Sequence, residues 1–121
     1  VTVLAVLLAG ALGAVARFVV DGAIKRWRPA TFPWATFAIN VTGSLLLGVL
    51  AGLVIDHSAP HALQTIVGTG FCGGYTTFST ASVETVRLAE GRRGILAAAN
   101  AIGSVVAAVV ACGFGLWLAS V

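Results

Sequence analysis

The chain has 121 residues, of which 59% are apolar and 9% charged, against roughly 45–50% and 25% in ordinary soluble domains. Its mean hydropathy is +1.03, its net charge +3 and its pI about 9.5. Seven Lys/Arg and four Asp/Glu cannot clothe a water-facing surface, which excludes a soluble globular enzyme, a disordered chain, a nucleic-acid-binding domain and a secreted disulfide scaffold. What remains is an all-α polytopic membrane protein, read as one transmembrane domain over residues 1–121.

Val1–Ala16 carries no charge, and Arg17, Asp21, Lys25, Arg26 and Arg28 follow it. A first span over residues 1–20 requires Arg17 to turn inward or to snorkel. Taken alone this segment resembles a signal peptide, but three further apolar stretches argue for a span. Pro29–Ile55 is also free of charge. Pro33 suits a first helical turn because its missing N–H would go unpaired there anyway. A second span over 33–55 would be about 34 Å long. Along it Thr36, Asn40 and Ser44 recur every four residues as one polar stripe. Ser44, Gly48 and Gly52 share the same spacing as small residues, as do Gly10 and Ala14 in span one; small residues let helix backbones approach in lipid.

Span three is predicted over 61–83, starting after Pro60, and span four over 94–121. Trp27, Trp34 and Trp117 fall near span ends, as interfacial aromatics do. Cys72 and Cys112 lie in apolar stretches with neither metal nor disulfide spacing and read as small buried hydrophobes. Asp56, His57 and His61 cluster between spans two and three, but Pro60 interrupts a shared helical face, so they read as loop residues.

All seven basic residues fall in or beside the loops that join spans one to two and three to four; the middle loop and the C-terminal segment have none. The positive-inside rule then gives one fixed orientation, with both basic loops cytoplasmic and both termini outside.

Polar groups inside lipid are costly, so their placement carries the functional signal. Asn100 and Ser104 form a short i, i+4 pair in span four. Residues 68–82 of span three read G-T-G-F-C-G-G-Y-T-T-F-S-T-A-S, four glycines followed by a run of hydroxyls. Each glycine lowers helix propensity by about 1 kcal/mol, which predicts a helix break near Gly73–Thr76. Backbone groups freed in a bilayer are tolerated where they line a cavity, meet another chain or bind an ion. The freed carbonyls suit a dehydrated cation. The positive end of the following half-helix suits an anion, as does the ring edge of Phe78. Glu84, beyond the hydroxyl run, either caps or pairs with a basic loop residue, or stands at a pore mouth. The carboxylates Asp21, Asp56, Glu84 and Glu90 all lie at span ends and no Ser/His/Asp grouping occurs, so nothing suggests an enzyme.

These motifs resemble those of the CrcB/Fluc family of bacterial fluoride channels over nearly the whole length. Gly10, Gly13, Ala14 and Arg17 look like its G-x-x-G-A-x-x-R. Pro33, Thr36, Asn40, Gly43, Ser44 and Gly48 look like its P-x-x-T-x-x-x-N-x-x-G-S-x-x-x-G. Gly70 to Thr80 with Glu84 looks like its G-x-x-G-G-x-T-T-F-S-T-x-x-x-E. The resemblance implies an antiparallel dimer of four-helix subunits in the bacterial plasma (inner) membrane. It implies a structural, untransported Na+ at the dimer centre, held by main-chain carbonyls that match Gly73 and Thr76. It further implies two narrow fluoride pores lined by Asn40 and Phe78, with the hydroxyls of Thr77, Ser79 and Thr80 and the span-four pair Asn100 and Ser104 extending the polar path.

One position departs from the family: T-T-F-S-T is often followed by a second phenylalanine, and here Ala81 stands there. The seven-to-zero charge bias departs too, because a dual-topology homodimer needs weak bias. Both features favour one half of a heterodimer with a second CrcB-type subunit of opposite orientation over a homodimer. The function implied is passive fluoride export that lowers fluoride toxicity, with amides, hydroxyls and ring edges replacing the ion's hydration shell. The alternative is a small proton-coupled multidrug-type exporter. Such a protein needs a carboxylate inside the membrane, and Val1–Ala16 offers none. A third reading, a non-transporting assembly subunit held by Gly/Ala faces, does not call for a broken span three.

Overall fold

The computed structural model describes all of Val1–Val121 and is helical throughout, with no strand. Helix α1 spans Thr2–Trp27 and α2 Trp34–His57. A continuous coil follows in three parts: α3 (His61–Leu63), a π-helical segment (Gln64–Cys72) and α4 (Gly73–Tyr75). Helix α5 covers Ser79–Glu90 and α6 Gly94–Ser120. Three helices, α1, α2 and α6, are long and apolar enough to cross a membrane. The region expected as span three, 61–83, is built instead from the pieces between α3 and α5.

Helix α1 runs past residue 20, through Arg17 and Asp21 to Trp27. Lys25 Nζ meets Asp21 Oδ2 at 3.0 Å one turn away, so the added turns carry their own charge pairing as they leave the apolar stretch. Pro33 sits just before α2, one position outside its expected place. Helix α5 ends at a tight turn in which Arg92 adopts φ 59° and Arg93 N–H returns to Leu88 O at 2.9 Å. This is the six-to-one bond of a Schellman cap, with arginine where glycine is usual.

Only 17 of the 121 residues are buried, while Leu4, Leu7, Leu12, Phe18, Ile102, Val106 and Val109 stand exposed. Apolar surface on this scale fits hydrocarbon or further protein as the surroundings, not water. What the interior holds is small residues. Helix α2 packs along α6, and α1 against the π segment and α4. A side chain at Gly48 would strike the Cys112 carbonyl, and one at Gly115 the Leu45 carbonyl. One at Gly74 would strike the Gly10 carbonyl. The backbones therefore touch, and dispersion between them replaces the hydrophobic effect that lipid cannot supply. The small-residue spacing of Gly48 and Gly52 in span two faces α6, and Gly10 in span one faces the π segment.

Candidate functional site

The helical path stops at Tyr75 and resumes at Ser79. Thr76 is extended, with φ −79° and ψ 160°. Gly73, by contrast, keeps helical angles, φ −62° and ψ −39°. The interruption thus falls just after the glycines, at the paired threonines. Thr76 is held at its base, where its N–H and its hydroxyl both donate to Cys72 O, at 2.9 and 2.8 Å.

Asn40 on α2 secures the next residue. Its Nδ2 donates to Thr77 O at 2.8 Å, and Thr77 N–H donates to its Oδ1 at 2.8 Å. Both polar groups flanking a buried residue outside any helix are thereby satisfied by one amide, as burial demands. Each amide nitrogen has two hydrogens, so Asn40 keeps one N–H to offer. Thr77 Oγ1 in turn accepts from Thr80 N–H at 3.2 Å and donates to Thr80 Oγ1 at 3.1 Å. Ser79 Oγ lies 3.4 Å from Thr77 Oγ1. Helix α5 thus begins with a threonine hydroxyl at its N-terminal turn, in the manner of an N-cap. Gly43, one turn along α2 from Asn40, makes room for the Thr76 methyl, which any side chain there would strike.

These groups border a groove of about 730 Å³ along α2, the π segment, α5 and α6. Asn40, Ser44, Gly73, Thr76, Thr77 and Phe78 line it on one side. Asn100 and Ser104 line the other. Ser79 and Thr80 are exposed and stand outside the lining, reaching it only through Thr77. Phe78 is 86% exposed and projects from the chain. Asn100 is 1% exposed; its Nδ2 donates to Thr85 Oγ1 at 2.7 Å and Ala81 O at 3.3 Å, and its Oδ1 accepts from Ser104 Oγ at 3.3 Å. The span-four pair is therefore spent on tying α6 to α5, whereas Asn40 retains a free donor. Thr85 was not singled out from sequence, although it lies four residues after Ala81 and its hydroxyl donates to the Ala81 carbonyl. Neither was the Thr42–Tyr75 hydroxyl contact at 3.0 Å.

Gly73 and Thr76 carry the two carbonyls that the resemblance matched to a cation. The nearby amides go elsewhere: Thr76 N–H to Cys72, Thr77 N–H to Asn40 and Thr80 N–H to Thr77 Oγ1. None of them donates to those two carbonyls. Glu84 lies away from the groove. It borders a second cavity, and its Oε1 is buried without a hydrogen-bond partner. The chain's one ion pair is Lys25–Asp21, so Glu84 is not paired with a basic loop residue.

A family model described as CrcB-like protein, Camphor Resistance (CrcB), matches residues 4–116. A protein of Leifsonia xyli named Fluoride-specific ion channel FluC 1 is 53% identical over 116 residues, 96% of this chain and 85% of that one. A Streptomyces avermitilis protein of the same name is 50% identical, over 93% of this chain and 91% of its own. Fluoride-specific ion channel FluC 2 of Mycobacterium tuberculosis is 45% identical, over 96% and 89%. With nearly its whole length matched and half its residues shared with such relatives, the chain belongs to the CrcB family.

Proposed function

We propose that the protein is a fluoride-selective channel of the bacterial plasma membrane that lets fluoride leave the cytoplasm passively and so lowers its toxicity. The observation that carries this reading is the Asn40–Thr77 pair. It fixes a non-helical threonine inside an apolar chain and leaves an amide N–H at a groove beside an exposed aromatic ring. The names of the relatives, fluoride-specific ion channels at about half identity, support the choice of ion.

Fluoride is a small, strongly hydrated anion, so a pathway must replace its water with donors. The second N–H of Asn40 and the hydroxyl of Ser44 are neutral donors, and the Phe78 ring edge adds partial positive charge. Neutral donors hold the ion without trapping it as a fixed cation would. Asn100 and Ser104 brace the opposite wall of the pathway, and Ser79 and Thr80 hold Thr77 in place. An inside-negative membrane potential contributes about 2.3 kcal/mol per 100 mV to outward movement of a monovalent anion.

The exposed Phe78 and the open groove fit coverage by a second four-helix subunit in antiparallel orientation. The one-sided placement of the basic residues supports a partner of opposite orientation, and relatives numbered 1 and 2 are in keeping with paired subunits. The carbonyls of Gly73 and Thr76 would hold a structural Na+ at that junction, where it would neutralise carbonyl dipoles brought together from two chains. The test is fluoride efflux from liposomes, with the chain alone and with a co-expressed CrcB-type partner, in Na+ and in a bulky organic cation. Fluoride flux well above chloride flux is expected, dependent on Na+. Equal flux of both anions, or proton-coupled efflux of a cationic drug, would overturn the reading.

A further inference from the structure

The second cavity, of about 420 Å³, lies between the loop joining α1 to α2 and the C-terminal end of α5. It sits at the end of the chain that gathers the basic residues, four of which, Lys25, Arg28, Arg87 and Arg93, line it. Lys25 is already matched by Asp21. Arg28, Arg87 and Arg93 have no carboxylate within ion-pair distance, and Glu84, which shares the cavity, has none of them within reach. Three guanidiniums and one carboxylate leave two uncompensated positive charges.

The wall beside them is apolar. Phe32 and Trp34 pack with ring centroids 4.7 Å apart and planes tilted by 55°, and both line the cavity with Pro29 and Pro33. The Arg28 guanidinium stands 5.3 Å from the Trp34 ring centroid, which holds its fork toward the cavity edge. The Schellman turn at Arg92 folds Arg93 back over the end of α5. A basic pocket beside interfacial aromatics at a helix-bundle end is where a lipid headgroup meets a membrane protein.

We propose that this cavity binds the headgroup of an anionic phospholipid whose phosphate is flanked by free hydroxyls, the chemistry of phosphatidylglycerol. The phosphate oxygens take the forked N–H groups of Arg28, Arg87 and Arg93. A headgroup hydroxyl donates to the orphaned Oε1 of Glu84. The glycerol backbone lies along Phe32 and Trp34, and the acyl chains leave over the exposed apolar side of α1. A monatomic anion fits poorly: the cavity is far too large for it, and three fixed cations would hold it rather than pass it on.

The test is lipid binding, read by native mass spectrometry and thermal shift on the full chain in neutral detergent. Phosphatidylglycerol, phosphatidylcholine and soluble glycerol phosphate are titrated separately. Phosphatidylglycerol is expected to bind, phosphatidylcholine not, and glycerol phosphate to compete weakly. A basic residue near an anionic surface contributes about fivefold in affinity. The triple variant R28Q/R87Q/R93Q should therefore lose roughly a hundredfold. The exposed single variant R87Q, which leaves packing untouched, should lose about fivefold. R26Q, on the same helix end but outside the cavity, should bind as the parent does. The proposal is overturned if phosphatidylcholine binds equally well, if R26Q costs as much as R87Q, if R87Q changes nothing, or if glycerol phosphate binds and the lipid does not. Fluoride flux enters none of these readouts, so failure here leaves the channel reading standing and failure of that reading leaves this one standing.

Discussion

Replacing Asn40 with aspartate changes one group by almost nothing in shape and separates the two roles of the side chain. The carboxylate still accepts the Thr77 N–H, now made at 2.8 Å to Oδ1. It cannot donate to Thr77 O, which loses its 2.8 Å partner. An unsatisfied buried carbonyl costs about 1–3 kcal/mol, enough to lower the melting temperature but not to abolish folding. The effect on an anion is larger. A unit negative charge about 4 Å from the ion, at an effective dielectric near 20, opposes it by roughly 4 kcal/mol. If that adds to the barrier, fluoride flux should fall about a thousandfold. The assay is electrode-monitored fluoride efflux from liposomes, in parallel with melting of the same preparation. Lowering the pH protonates the carboxyl and removes the charge, but its single O–H goes to Thr77 O where the amide had a second hydrogen to spare, so flux measured above protein-free liposomes should recover only in part. A folded aspartate variant with flux within about threefold of the parent would show that no fluoride passes Asn40, and the proposed pathway would be wrong.

Gly43→Ala sets a methyl against the Thr76 side chain; such overpacking costs about 1–3 kcal/mol, so both melting temperature and fluoride flux should drop, and a variant unchanged in both would separate the threonine break from α2. Phe78→Ala should leave the melting of the isolated chain within about 0.5 kcal/mol of the parent, because the ring is 86% exposed, yet reduce flux in the assembled channel. Arg92→Gly relieves a left-handed arginine and should raise stability by about 1 kcal/mol in chemical denaturation, with a fall in stability counting against the cap assignment. Moving two arginines from the α5–α6 turn into the loop after Ser58 should turn a single orientation into a mixed one, read by reporter fusions at the C-terminus.

The three apolar spans were legible because charge punctuates them: 1–20, 33–55 and 94–121 anticipate α1, α2 and α6. The stretch from Asp21 to Trp27 escaped because the spans were delimited by charge. The helix does not stop at a charge that can pair one turn away, as Asp21 and Lys25 do. The interruption falls at the far edge of the expected Gly73–Thr76 stretch for a related reason. Glycine propensities come from water, where the exposed backbone competes with helix formation. Here Gly70 and Gly74 press against Val6 and Gly10 of α1 and stay helical, and the coil yields at Thr76. The π-helical winding of Gln64–Cys72 had no sequence signal, since the apolar pattern of a membrane segment lacks the amphipathic period that would reveal it. Asn40 stood out as a polar residue in an apolar span. Thr77 was named for its hydroxyl, but its pairing with Asn40 was not legible, because a side chain that pairs with a peptide group leaves no pattern at the other end.

Asn40 and Thr77 pair as two residues do across an antiparallel sheet, one donor and one acceptor each way. A single side chain acts as a one-residue strand, and the threonine peptide takes its orientation from α2 and not from the helices on either side of it. Any tilt of α2 is thereby passed to the loop as a rigid rotation. The direction of the one spare amide hydrogen is therefore set by where α2 stands.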